Sequence, residues 1–141
     1  MFLLDTSALS ELTKVQPNAG FLTWMSAQSA QSAFVGAPTI GELELGIRLL
    51  KPSKKRSALE SWLHNLVHEF EERILPFDLA CARLWGRAAA AASLRGATLP
   101  ATDSQIAAIA SVHGLTVVTR NVRHFRADDF EDLVVITPWS P

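Results

Sequence analysis

Leu115-Thr116-Val117-Val118-Thr119 is a continuous run of β-favouring residues set between Gly114 and the polar pair Arg120-Asn121. A strand with one face in water alternates apolar and polar side chains. This run does not alternate, so it predicts a strand covered on both faces, as in parallel sheets. Immediately upstream, Thr102-Asp103-Ser104-Gln105 matches a Thr-x-x-Gln capping box leading into Ile106, Ala107, Ile109 and Ala110, a helix that Gly114 ends. Downstream, Leu133-Val134-Val135-Ile136 reads as the last strand, before Pro138 and Trp139.

The N-terminal half shows the same alternation. Phe2, Leu3 and Leu4 form a short apolar run ending at Asp5, with Thr6 or Ser7 expected to cap a helix through about Lys14. Asn18 is expected to cap a second helix carrying Phe21, Leu22, Trp24 and Met25, and Ala33 to Ala37 reads as a brief buried strand closed by Pro38. Thr39-Ile40-Gly41-Glu42 matches a Thr-x-x-Glu capping box ahead of Leu43, Ile47 and Leu50, which puts Glu42 in a first helical turn. Ser53 opens a helix whose Leu59, Trp62, Leu63, Leu66, Val67 and Phe70 recur at helical spacing. Ile74 and Leu75 read as a minor strand or extended connection, and Asp78 as the cap of a long alanine-rich helix ending near Gly96. Strands alternating with helices predict a three-layer α/β fold with a mostly parallel central sheet, in a single domain over residues 1–141.

Composition sets the outer limits. The 141 residues are one domain's worth of chain, and 48% hydrophobic with 19% charged residues excludes a disordered composition. Lys and Arg total 13 against 14 for Asp and Glu, so a net charge of -1 excludes bulk coating of a polyanion and leaves room for a local basic patch. The single cysteine, Cys81, excludes an internal disulfide and a cysteine-based metal cage. The opening apolar run stops at Asp5, far short of a signal-peptide core, and the alanines from Ala88 to Ala92 are flanked by Arg83, Arg87 and Arg95. A cytoplasmic protein with no membrane span is therefore expected.

Open parallel sheets bind ligands outside the carboxyl ends of their strands, where helices begin. That rule selects few residues here. Asp5 follows the first strand, Glu42 and Asp103 lie in first turns of helices, and Thr119 with Asn121 follows the long buried strand. Carboxylates gathered at one edge repel each other unless a cation or protons neutralise them. All-oxygen ligation without cysteine or a paired-histidine motif suits Mg²⁺ or Mn²⁺. Such a cation binds phosphate oxygens, polarises water into a nucleophile and stabilises a leaving oxygen, so phosphodiester hydrolysis is the expected reaction. Each acid also has a purely structural explanation: Glu42 as a capping-box partner, Asp103 as a complement to the helix dipole, Asp5 as a helix cap. All three explanations would have to hold at once.

Three blocks of this sequence resemble those of PIN-domain ribonucleases: Leu3-Leu4-Asp5-Thr6-Ser7-Ala8-Leu9-Ser10-Glu11, Thr39-Ile40-Gly41-Glu42-Leu43-Glu44-Leu45-Gly46 and Ala101-Thr102-Asp103-Ser104-Gln105-Ile106-Ala107-Ala108-Ile109-Ala110. A fourth, Val118-Thr119-Arg120-Asn121-Val122-Arg123-His124-Phe125, and the terminal Thr137-Pro138-Trp139 resemble the VapC/FitB branch, so that the likeness spans essentially the whole chain. The resemblance implies a PIN-like fold and a Mg²⁺- or Mn²⁺-dependent endoribonuclease. It further implies the toxin of a type II toxin-antitoxin pair, a homodimer neutralised by a cognate antitoxin. Asp5, Glu42 and Asp103 match the family's acidic metal positions. Its fourth acidic position falls where this chain has Asn121, with His124 at a nearby position often acidic in relatives. Asn121 offers a carbonyl oxygen and no charge, which keeps open the alternative of a catalytically weak or inactive module that binds RNA or an antitoxin. Ser7 and Thr119 are support residues able to hydrogen-bond a ligand.

The remaining polar clusters divide by position. Arg120, Arg123 and Arg126 follow the buried strand and are expected to hold an RNA backbone, with Arg123 and Arg126 on one face of a short helix. Lys51, Lys54, Lys55 and Arg56 read as a solvated face, His64 and His68 as a solvated pair, and Glu44 as solvated or salt-bridged. Glu11 either approaches the rim or has an ordinary surface role. Cys81 reads as a small buried side chain, and Trp24, Trp62, Trp85 and Trp139 as packing anchors.

Overall fold

Short apolar strands joined through helices pair in parallel, because a helical crossover returns the chain to the same end of the sheet. The computed structural model describes residues 1–126 and 128–141. It contains five strands: β1 (Phe2–Leu4), β2 (Ala33–Gly36), β3 (Ile74–Leu75), β4 (Thr116–Val118) and β5 (Val135–Ile136). They pair in the order β3-β2-β1-β4-β5, every pair parallel. Among the described residues six α-helices cover the sheet: α1 (Thr6–Glu11), α2 (Ala19–Ser26), α3 (Ala37–Arg48), α4 (Lys54–Phe70), α5 (Leu79–Leu94) and α6 (Ala101–His113). The chain leaves central β1 toward β2 and β3, then returns to its other side as β4. The order therefore reverses between β1 and β4, which makes that gap the switch point of the sheet.

The expectation of a strand covered on both faces holds at neighbouring positions. Val117 and Val118 are both fully buried, yet Val117 joins the core with Leu3, Cys81, Ile106 and Ile109, while Val118 joins the core with Leu4, Leu9, Phe21, Val35 and Leu66. One core lies under α5 and α6, the other under α1 to α4. Five consecutive residues of α6, Ile106 to Ala110, are buried, as befits a helix enclosed on all sides. The tryptophans are packing anchors: Trp24 meets Phe2 edge-on at 4.9 Å, Trp139 stacks on Phe21 at 4.5 Å, Trp85 donates its indole N–H to Ser104 Oγ at 2.9 Å, and Trp62 packs on the α1 to α4 core. Cys81 is fully buried. No helix among the described residues is long and apolar enough to cross a membrane.

Capping follows the sequence at Asn18, Ser53 and Asp78, whose side chains accept the N–H groups of Phe21, Arg56 and Cys81, each at 3.1 Å. Gly114 closes α6 at φ 63°, letting Leu115 N–H reach back to Ala110 O at 2.9 Å. Elsewhere the expected caps give way. Asp5, not Thr6 or Ser7, caps α1, accepting Ala8 N–H at 2.9 Å, and the helix stops at Glu11, short of Lys14. Neither capping box forms. Pro38 does not close β2; it sits in the first turn of α3, where a missing N–H goes unmissed, so the helix starts at Ala37 and Thr39 is already inside it. Thr39 Oγ1 is buried with no hydrogen-bond partner among the described residues. Likewise α6 starts at Ala101, directly after Pro100, with no side-chain cap. The 3-10 turn Val122–His124 ends before Arg126, so Arg123 and Arg126 share no helical face.

Candidate functional site

The two strands flanking the switch point end in polar residues. Asp5 N–H still bonds Val118 O at 3.2 Å, and Thr119 N–H bonds Ile136 O at 3.1 Å, so the first residue past β1 and the first past β4 emerge side by side. Asp5 is 1% exposed and fully engaged on one oxygen: Oδ1 accepts Ser7 Oγ–H at 2.6 Å and Ala8 N–H at 2.9 Å. Its Oδ2 accepts the Thr119 hydroxyl at 2.5 Å. Ser7 Oγ in turn accepts Arg120 N–H at 3.0 Å, and Thr119 Oγ1 accepts Asn121 N–H at 2.9 Å. Ser7 and Thr119 thus both hold Asp5 and both pin the segment after β4.

Burial pushes the Asp5 carboxyl above the ordinary range; the hydrogen bonds from Ser7, Thr119 and Ala8 oppose this, and the nearby charge of Asp103 reinforces it. Asp103, in the first turn of α6, is also raised by burial, against the pull of His124, with Glu42 adding to the rise. Asp103 is therefore the acid between the other two: its charge raises Asp5, and the charge of Glu42 raises it. Charge is what ties Asp103 to Asp5 and to Glu42; among the described residues no three His, Cys, Asp or Glu side chains are drawn together tightly enough to hold a metal ion as they stand. The donor set nonetheless fits a hard divalent cation. It offers carboxylate oxygens and no thiolate, Asp5 Oδ2 carries one hydrogen bond, and the mutual repulsion is of the kind a cation relieves.

The other candidate residues have looser ties to Asp5, or none. Asn121 is exposed and joined to the site through its backbone N–H. Arg120, Arg123 and Arg126 are exposed, and Arg126 pairs with Asp128 at 3.5 Å. Glu44 pairs with Arg48 at 3.0 Å on the solvent side of α3. Of the basic cluster, Lys51, Lys54 and Lys55 are exposed, while Arg56 bonds Glu60 at 2.7 Å and Leu50 O at 3.0 Å. Glu11 is neither at the rim nor on the surface: it is 3% exposed and accepts Asn18 N–H at 2.8 Å. A groove of about 280 Å³ opens beside Glu42, lined by Thr6, Ser10, Leu43, Ile47 and Trp62 among others. The sequence reading puts His124 near the site without giving it a partner; its Nδ1 lies 2.7 Å from Asp103 Oδ2.

Comparison with known proteins places these features in a lineage. The PIN domain family matches residues 2–130. The chain is 36% identical over 140 residues to the toxin FitB of Neisseria gonorrhoeae, across 99% of both chains. It is 33% identical over 142 residues to a VapC ribonuclease of Sinorhizobium fredii, across 100% of this chain and 99% of the relative. The crystal structure of FitAcB from Neisseria gonorrhoeae superposes with a TM-score of 0.88 at 36% identity, over 100% of both chains. With a parallel sheet that carries its buried acid at the switch point and relatives matched from end to end, the chain belongs to the PIN-domain family, in its VapC/FitB branch.

Proposed function

We propose that this protein is a Mg²⁺- or Mn²⁺-dependent endoribonuclease, the toxin of a type II toxin-antitoxin pair. On this reading it acts as a single-domain, cytoplasmic homodimer restrained by a cognate antitoxin. The observation that carries the reading is the buried Asp5 carboxylate at the sheet's switch point, held by Ser7, Ala8 and Thr119 and raised by the charge of Asp103. Like charges held at a partly buried rim favour a cation between them. The relatives named as a toxin and as a ribonuclease support the same conclusion.

Asp5, Glu42 and Asp103 would hold the ion. When bound, it supplies positive charge for a phosphodiester oxygen and lowers the pKa of water at the site. The chain's own groups do the rest. Ser7, Ala8 and Thr119 fix the Asp5 carboxylate in one orientation, so that it needs no reorganisation when substrate arrives. Asn121 contributes a neutral amide where a carboxylate would add charge, which lowers the rim's repulsion toward RNA phosphates. Arg120, Arg123 and Arg126, exposed in and after the segment that Ser7 and Thr119 pin, furnish cations for the RNA backbone.

A second reading, a non-cleaving module that binds RNA or an antitoxin, is favoured by the uncharged Asn121. Growth separates the two. Expression of the wild-type chain arrests growth, Asp103→Asn at equal abundance does not, and the product of a small adjacent gene relieves the arrest. Arrest of equal depth by Asp103→Asn would contradict a site-dependent toxin and favour the second reading.

A further inference from the structure

Asp103 is tethered. Its Oδ2 meets His124 Nδ1 at 2.7 Å. An ionised carboxylate only accepts hydrogen bonds, so Nδ1 carries the hydrogen and donates it, and Nε2 lies on the far side of the ring. The backbone beneath His124 is anchored as well. His124 N–H bonds Asn121 O at 2.9 Å and Phe125 N–H bonds Val122 O at 3.1 Å. The Phe125 side chain is buried in the core that includes Ile106 and Ala107 of α6, the helix that carries Asp103. Donor and acceptor therefore ride on elements packed into one core.

The tether matters because of where Asp103 sits. Its charge is coupled to the like charges of Asp5 and Glu42, so repulsion pushes a free carboxylate away from both. We infer that His124 is a positioning residue: by holding Oδ2 it keeps Asp103 turned into the rim, with Oδ1 presented to a divalent cation. This inference rests on the metal-dependent reading above. It assigns His124 an action through Asp103, in contrast to direct ligation by its Nε2. Hydrogen-bonded partners of this kind tune a metal site by orienting its ligands.

Titration of the full chain with Mn²⁺ by calorimetry tests it, using wild type, His124→Ala, His124→Asn and Asp5→Asn. An asparagine amide occupies nearly the position of Nδ1 and can donate to Asp103; it has nothing at the position of Nε2. His124→Ala is expected to raise the Mn²⁺ Kd by about 10- to 100-fold, with cleavage of RNA lost at limiting Mn²⁺ and largely recovered at saturation. His124→Asn is expected to bind Mn²⁺ nearly as wild type does. An unchanged Kd in His124→Ala overturns the inference, and so does a His124→Asn protein as weak as His124→Ala, which would mean direct ligation. If wild type binds and Asp5→Asn does not, a failure at His124 concerns this inference alone. Absence of Mn²⁺ binding by wild type overturns the metal site itself and this inference with it.

Discussion

Thr119 donates its hydroxyl to Asp5 Oδ2 across a sequence separation of 114 residues, joining the ends of the two strands that flank the switch point. The same hydroxyl oxygen accepts Asn121 N–H, so one group both solvates a buried carboxylate and fixes the turn that leads to His124. Hydrogen bonds to charged groups contribute about 1.5–3 kcal/mol. Thr119→Val, which keeps the shape and removes the hydroxyl, should lower the unfolding free energy by about that amount. Thr119→Ser should retain most of it, as measured by urea denaturation.

The Asp5 carboxyl makes a prediction of opposite sign for the metal-free protein. Its folded-state pKa is raised above 3.8, with burial the largest cause, so the folded state holds this proton more tightly than the unfolded chain does. Stability from this group is full at low pH and declines as pH rises from the ordinary carboxylate range through the folded value. The decline amounts to about 1.4 kcal/mol for each tenfold difference in proton affinity between the folded and unfolded states. Asp5→Asn removes it. Its amide can accept from Ser7 and Ala8 and donate to Thr119 Oγ1. In EDTA, the variant should melt above wild type at pH 7 and equal it near pH 3. A variant less stable than wild type at pH 7 would show that the hydrogen bonds outweigh the burial.

Much of this arrangement is legible in the amino-acid order. Val117 and Val118 announce a two-faced strand because no polar residue interrupts them, and a parallel sheet then directs attention to Asp5 and Thr119 at its carboxyl edge. The capping boxes at Thr39 and Thr102 misled because Pro38 and Pro100 are competing start signals that begin each helix earlier. Asp103 stays in the first turn of α6, but the earlier start of α3 leaves Glu42 in its second turn and not in the first turn that the capping box implied. The contact of His124 with Asp103 and the bond from Arg120 N–H to Ser7 depend on how the turn after β4 folds back. No periodicity encodes that path.

Glu11 shows how a buried acid can stabilise instead. Its Oε2 pairs with Lys14 at 2.6 Å and its Oε1 accepts Asn18 N–H at 2.8 Å. Lys14 draws the Glu11 carboxyl below its ordinary 4.5, burial opposes this, and the Asn18 amide adds to the fall. Its stabilisation is therefore complete above pH 4.5 and is lost as pH falls through the lower folded value. Glu11→Gln should lose about 1 kcal/mol at pH 7. The deficit should shrink toward zero as unfolding is measured at progressively lower pH below the ordinary glutamate value.

The C-terminal tail is held against the start of α2. Ser140 Oγ accepts Gly20 N–H at 3.2 Å, Asn18 bonds the Ser140 backbone on both sides at 2.9 Å, and Trp139 stacks on Phe21. A Cβ at Gly20 would stand 2.7 Å from Ser140 N, closer than contact allows. Gly20→Ala should therefore displace the tail despite its better helix propensity, at a net loss of about 1 kcal/mol. Faster carboxypeptidase digestion and a red-shifted tryptophan emission would report the release.

The central claim, that Asp5, Glu42 and Asp103 act together through a divalent cation to hydrolyse RNA, is tested most directly by cleavage of end-labelled single-stranded RNA. The reactions compare wild type and Asp5→Asn in Mg²⁺, in Mn²⁺ and in EDTA. Wild type should cleave in either metal and stop in EDTA, and Asp5→Asn should lose at least about 100-fold in rate. Equal cleavage by both proteins, cleavage that persists in EDTA, or RNA bound and left intact under every condition would contradict the account.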